Sequence, residues 1–175
     1  MNFFGLADCN NFYCSCERVF HPDLRYKPVI VLSNNDGCVV ARSEESKKLG
    51  IKMGVPFYQI RDLVEKNNVA VFSSNYNLYG DMSRRVMSLL SSFFPKINIY
   101  SIDEACIDLS EIKDIGCLVG ISHKAVKSIN KGVGIPVSLG IAPTKTLAKM
   151  ASVFAKKHKG YNGVCIIDTD EKREK

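Results

Sequence analysis

The chain has no tryptophan, only three histidines (His21, His123 and His158), and no CxxC pair among its seven cysteines. The histidines have no catalytic spacing, so Ser/His/Asp hydrolysis finds no support. An odd number of cysteines without paired spacing reads as reduced thiols rather than a disulfide framework. A zinc site from Cys14, Cys16 and His21 is the weaker account, because structural zinc ligands usually come in two spaced pairs. No apolar run approaches the ~20 residues that cross a bilayer. The N-terminus carries no basic segment leading into a long apolar one, and the reading is a cytoplasmic protein. There is no GxGxxG fingerprint. GIAPTKT at 140–146 departs from a P-loop, because Thr144 stands where glycine should precede the lysine and Pro143 stiffens the loop.

What is present is enough for one substantial core. The 175 residues are 46% hydrophobic and 24% charged, with formal net charge +6. The charge is uneven: residues 1–120 carry 13 Lys+Arg against 14 Asp+Glu, and residues 121–175 carry 11 against 4. A basic C-terminal third suits a polyanion such as nucleic acid or a nucleoside triphosphate. A solvated charged surface is the alternative, and the charge alone favours it.

The pattern of elements predicts a strand over residues 3–8 delivering Asp8 at its tip, then a helix over 11–20. Apolar runs at 29–32 and 38–41 flank SNNDG and read as a hairpin. Ser43 caps a helix through Leu49 with Gly50 as its stop, and Pro56 opens another through about Lys66. VAVF at 69–72 reads as a strand. Leu78, Met82, Val86, Leu89, Leu90 and Phe93 recur at steps of three and four, predicting a helix from about Asn75 to Phe94 that Pro95 ends. Strands at 97–102 and 105–109 flank a two-residue turn of Asp103 and Glu104. A helix near 117–131, a strand near 136–142, a helix from Thr144 to His158 and a strand near 163–167 complete the order. The expectation is an α+β, ferredoxin-like mixed sheet with helices on one face and a small lobe inserted after the first strand.

If the first strand neighbours the 97–109 hairpin, Asp8, Asp103 and Glu104 converge at one sheet edge. Three carboxylates repel one another, and hard divalent cations relieve that repulsion. A pair of Mg²⁺ ions about 3.5–4 Å apart is what phosphoryl transfer requires. Acidic residues are also common in turns for conformational reasons, which is the better account of Asp103 and Glu104 taken alone. On the helix from Thr144, Lys145, Lys149 and Lys156 fall within about 40° of one another, with Ser152 among them and Leu147, Met150, Ala151 and Phe154 opposite. That pattern is an outward lysine stripe suited to phosphates, or an ordinary amphipathic surface helix.

The strings LADCNNFYCSCE (6–17), LSNNDGCVVARSEESKKLGIKMG (32–54), SSNYNLYGDMSRRVM (73–87), YSIDEACIDLS (100–110) and LGIAPTKTLAKMASVFAKK (139–157) cover almost the whole chain. In this order they resemble a UmuC-type Y-family translesion DNA polymerase. The resemblance implies a polymerase palm over residues 1–11 and 74–170 and fingers over 12–73. It implies that residues 171–175 begin a thumb, so that the chain is a fragment lacking thumb and little-finger domains and is weak or inactive alone.

The implied reaction adds deoxynucleotides to a primer 3′ end with two Mg²⁺ ions, in error-prone, SOS-type repair of damaged DNA. Asp8, Asp103 and Glu104 are then the catalytic, metal-binding acids, with the Cys9 carbonyl as an added oxygen ligand. Tyr13 matches the steric gate that excludes a 2′-hydroxyl, and Lys47 and Lys156 match cations on the incoming triphosphate. Glu44 departs from the pattern, since many members place a triphosphate-binding tyrosine there, and Cys9 replaces an aromatic of some relatives. Implied partners are primer-template DNA and deoxynucleoside triphosphates, with a sliding clamp, UmuD′-like subunits and RecA engaged through further regions. A non-catalytic nucleic-acid-binding module is opposed by the intact acids and Tyr13. A nucleotidyl cyclase is opposed by SIDEA standing where a GGDEF-type turn would be.

Overall fold

Phe4–Cys9 forms β1, whose residues are all buried or half-buried. Residues 2–112 and 114–168 are described in this computed structural model. Asn11 then turns in a left-handed conformation (φ 47°) into α1, Phe12–Phe20. The chain continues through β2 (Val29–Leu32), β3 (Val39–Arg42), α2 (Glu44–Lys48), α3 (Arg61–Lys66) and β4 (Ala70–Ser73) into the long helix α4, Tyr76–Phe93. There follow β5 (Ile97–Ile99), β6 (Glu104–Asp108), α5 (Ile115–Val133), β7 (Val137–Ala142), α6 (Lys145–Lys157) and β8 (Val164–Ile166). Two compact units result. One runs to Asn10 and resumes at Met82; the other is Asn11–Asp81.

The first unit holds a five-stranded sheet in the order β5-β6-β1-β7-β8. β1 pairs antiparallel with both β6 and β7, β5 antiparallel with β6, and β8 parallel with β7. Taken as β1-α4-β5-β6-α5-β7, this is the ferredoxin-like order with α6 and β8 added, and the α+β mixed sheet expected from the sequence is present. Every side chain of β7 is buried, and because successive side chains point to opposite faces, both faces of this strand are covered. A single helix-covered face was expected.

One of those faces belongs to α6. Leu6, Ala142, Ala148, Ala151, Ala155, Cys165 and Ile167 form one buried cluster, with Leu147 and Phe154 packed against it. The closeness depends on Gly140, where an added Cβ would lie 2.1 Å from the Ala148 carbonyl oxygen and 2.1 Å from the Ser152 nitrogen. The buried face of α6 is therefore its small residues. Ser152, expected among the outward lysines, is 2% exposed, and Met150, expected inside, is 50% exposed. Volume decides the matter: a helix lying on a glycine turns Ala and Ser toward the sheet, and Met150 cannot fit there. The Thr144 hydroxyl accepts from the Leu147 N–H at 3.2 Å and caps this helix.

The second unit holds a three-stranded sheet in the order β3-β2-β4, the β2–β3 pair antiparallel and the β2–β4 pair parallel. Ile30, Leu32, Val39, Ile51, Val64 and Val69 form its core. The SNNDG hairpin is present, and its loop is held by the Ser33 hydroxyl, which donates to Asn35 Oδ1 at 2.7 Å. Ser43 caps α2 by accepting from the Ser46 N–H at 3.3 Å, and Gly50 takes the positive φ (83°) that stops it. Pro56 precedes a single turn, Phe57–Gln59, and α3 starts separately after Ile60. Residues 171–175, read as the start of a thumb, lie outside the described residues.

Candidate active site

β1 and β6 pair so that Asp8 stands directly opposite Glu104. Directly opposed residues of an antiparallel pair have Cβ atoms about 4.5–5.5 Å apart, so these two carboxyl groups are neighbours of like charge. The Cys9 N–H donates to the Asp103 carbonyl oxygen at 2.9 Å, which extends the pairing one residue past Asp8. On the other edge of β1, the Asn10 N–H donates to the Pro136 carbonyl at 2.8 Å, and the Ser138 hydroxyl lies 2.9 Å from Asn10 Oδ1. The strand end that carries the acid is thus fixed on both sides.

The turn before β6 is longer than the sequence predicts. Four residues, 100–103, separate β5 from β6, and Glu104 is the first strand residue rather than part of the turn. Ser101 is the cause. Its hydroxyl accepts from the Glu104 N–H at 3.0 Å and donates to Asp103 Oδ1 at 2.8 Å, a local side-chain turn that competes with a tight hairpin. As a result the Asp103 carboxylate is engaged with Ser101. Among the described residues no three His, Cys, Asp or Glu side chains are gathered as a ready metal-binding group. The structure therefore brings Asp8 and Glu104 together and sets the Asp103 backbone against Cys9, but does not gather the Asp103 carboxylate with the other two.

Two lysines of α6 meet the opposed pair. Lys156 Nζ donates to Asp8 Oδ1 at 3.2 Å, and Lys149 Nζ lies 3.4 Å from Glu104 Oε1. The Tyr100 hydroxyl donates to Glu104 Oε2 and itself lies 3.3 Å from Lys149 Nζ. Burial raises the Asp8 pKa above the usual carboxylate value, with the Glu104 carboxylate adding to the rise against Lys156. Burial also works to raise Glu104, but hydrogen bonds from Tyr100 and Asp8 and the Lys149 charge hold it below the ordinary value. The two carboxyl groups are thus shifted in opposite directions across the ladder. Sequence reasoning missed Tyr100 and read Lys149 only as part of an outward lysine stripe suited to phosphates, not as a partner of Glu104. The lysines reach the strand ends because they flank the buried Ala148–Ala151–Ala155 strip, instead of standing opposite it.

The donor set suits a hard cation: carboxylate oxygens, no thiolate, and ammonium groups already neutralising the acids. A zinc site is not formed. Cys14 Sγ is turned to the Val29 carbonyl at 3.5 Å, and His21 Nδ1 lies 3.0 Å from the Glu17 carbonyl. None of the seven cysteines forms a disulfide.

In the Asn11–Asp81 unit, Tyr13 stacks on Tyr79 with ring centroids 4.3 Å apart and planes 13° from parallel. Tyr76 meets both rings edge-on at 6.2 Å. Tyr79 is fully buried, and its hydroxyl donates to Glu17 Oε1 at 2.7 Å. Burial, then this bond, raises the Tyr79 pKa above its ordinary value. Lys47 Nζ donates to Glu44 Oε1 at 2.7 Å and to Asn11 Oδ1 at 2.8 Å, while Asn11 Nδ2 donates to Glu44 at 3.1 Å. The Asn11 turn and the Tyr79 stack leave no periodic signal in the sequence.

A ferredoxin-like sheet with opposed acids at its strand ends and a small inserted α/β unit defines the class: the palm-and-fingers type of α+β fold found in Y-family polymerases. Over 98% of the chain it is similar to the solved "Insertion ternary complex of Dbh DNA polymerase", with TM-score 0.86 and 27% identity, covering 50% of that protein. The pattern defining the impB/mucB/samB family matches residues 7–153, and the chain belongs to that family. Protein ImpB of Salmonella typhimurium is 48% identical over 169 residues, 97% of this chain and 40% of that protein. Protein UmuC of Salmonella typhimurium strain LT2 is 49% identical over 154 residues, 88% of this chain and 36% of that protein. The chain thus spans about two-fifths of the length of these relatives. Among the described residues no helix is long and apolar enough to cross a membrane.

Proposed function

We propose that this chain carries the nucleotidyl-transfer centre of a translesion-type, template-directed DNA polymerase, adding deoxynucleotides to a primer 3′ end in repair of damaged DNA. The observation that carries the reading is the direct opposition of Asp8 and Glu104 beside the Cys9–Asp103 backbone contact, in a member of this family. Asp8, Glu104, the Cys9 carbonyl and, once turned from Ser101, the Asp103 carboxylate would hold two Mg²⁺ ions. Bound there, they would supply activation of the attacking hydroxyl and charge stabilisation of the leaving diphosphate. Residues 1–11 and 74–170 act as palm and 12–73 as fingers.

Each remaining residue has a physical task. Lys156 exchanges Asp8 for a phosphate oxygen of the substrate, neutralising charge as the transfer proceeds. Lys47 is held by Glu44 and Asn11 and turns its ammonium from that carboxylate to the triphosphate. Tyr13, its plane fixed by the Tyr79 stack, excludes a 2′-hydroxyl from the sugar position. Primer-template DNA and deoxynucleoside triphosphates are the substrates. A sliding clamp, UmuD′-like subunits and RecA are proposed partners of the cytoplasmic, SOS-type polymerase.

The test is Mg²⁺-dependent primer extension by the full-length protein carrying Asp103→Ala or Glu104→Ala. Extension is expected to be lost in both while the circular dichroism spectrum is unchanged. Activity retained in both would remove the metal assignment.

A further inference from the structure

We propose that Lys149, braced by Tyr100, is the resident counter-cation of Glu104. It neutralises the opposed carboxylates in the metal-free protein and is displaced when a divalent cation takes the same oxygens. This rests on the metal-site reading given above.

Both oxygens of Glu104 have partners, Lys149 on Oε1 at 3.4 Å and Tyr100 on Oε2. Lys149 is itself held by the Tyr100 hydroxyl at 3.3 Å, and its Nζ lies 6.0 Å from the Tyr100 ring centroid. Cation, hydroxyl and carboxylate therefore close a triangle at the end of β6. Without it, Glu104 would face Asp8 across the ladder with half of its compensation gone, since Lys156 serves Asp8. Lys149 and Lys156 stand seven residues apart, about two helical turns and on the same side of α6, so each reaches a different member of the acid pair. Gly140 fixes the height of both, because the α6 backbone rests directly on it.

The same geometry makes Lys149 easy to displace. Its side chain is 58% exposed against 16% for Glu104, so the ammonium moves into water while the carboxylate stays in place. A divalent cation on Glu104 repels a neighbouring ammonium, and the two cannot share one oxygen without cost. The Lys96–Glu111 pair offers a contrast, with both side chains more than half exposed and far less to compensate. Lys149 is thus a positioning residue that sets the metal affinity of the site.

The experiment uses Mn²⁺ as the probe, with free Mn²⁺ measured by electron paramagnetic resonance and melting followed in chelator and in saturating Mn²⁺. Lys149→Met is expected to bind Mn²⁺ about fivefold more tightly than the unmodified chain. It should melt lower in chelator, with the gap closing in Mn²⁺. Tyr100→Phe should show the same signs with smaller shifts. Lys145→Met, which removes a charge from the same helix at a lysine lying over the Phe4 ring, should bind Mn²⁺ like the unmodified chain. Unchanged or weaker binding by Lys149→Met, or equal tightening by Lys145→Met, would overturn the proposal. Paramagnetic broadening of the Asp8 and Glu104 amide signals in the unmodified chain separates the two levels. Its absence would overturn both the metal reading and this inference, whereas its presence with unchanged Lys149→Met affinity would overturn this inference alone.

Discussion

Asp8 stands directly across the β1–β6 ladder from Glu104, and a different lysine of α6 meets each of them. A like-charged pair at this spacing persists because the helix that carries its counter-ions cannot drift. That immobility comes from a glycine.

Gly140→Ala should therefore be among the most damaging conservative substitutions in the chain. A Cβ there meets backbone atoms at 2.1 Å, so α6 must lift away from β7, and overpacking of this kind costs about 3 kcal/mol. Urea unfolding would report the loss. A midpoint within error of the unmodified protein would show that α6 accommodates the methyl group.

Tyr13→Ala should lower discrimination between deoxy- and ribonucleotides by about 10-fold or more in primer extension, since the ring proposed to exclude the 2′-hydroxyl is lost. Unchanged selection would assign the gate to another residue.

Cys14 and Cys16 are buried, and burial pushes both thiols up to about 12. Because the thiolate is the reactive form, both should resist alkylation by iodoacetamide at pH 8 in the folded protein. Cys117 is exposed and should react first. Mass mapping of the labelled peptides decides it, and early labelling of Cys14 or Cys16 would contradict the burial argument.

Burial works to raise the Glu45 pKa, but the hydrogen bond from Arg18, at 2.7 Å, is the largest of the effects that together hold it below its ordinary value of 4.5. A carboxyl lowered in the folded state contributes stability above its unfolded pKa and loses it as pH falls toward the folded value. With Glu45 31% exposed, the contribution is about 0.5–1 kcal/mol. Glu45→Gln should lower stability at pH 7, with the difference from the unmodified protein shrinking as the pH falls below 4.5. Parallel stability curves from pH 7 to 3 would remove the ion pair from the account.

Local chemistry made much of the fold legible in the sequence. The apolar spacing of α4, the Ser43 and Thr144 caps, the stop at Gly50 and the SNNDG turn are each written within a few residues, and each stands in the structure near its expected place. The strand that ends at Asp8 was legible too, whereas Asp103 and Glu104 read as a two-residue turn and Glu104 instead begins β6. Three things were decided only by tertiary structure. Ser101 and Asp103 form a hydrogen-bonded turn in place of a tight hairpin, α6 buries Ala and Ser in place of Met150, and Lys149 closes on Glu104 and Tyr100. Hydropathy along one helix ranks Met above Ala, but the space above Gly140 admits only the smaller side chain. Where the lysines of α6 end up follows from that contact between residues remote in sequence, which no pattern within the helix contains.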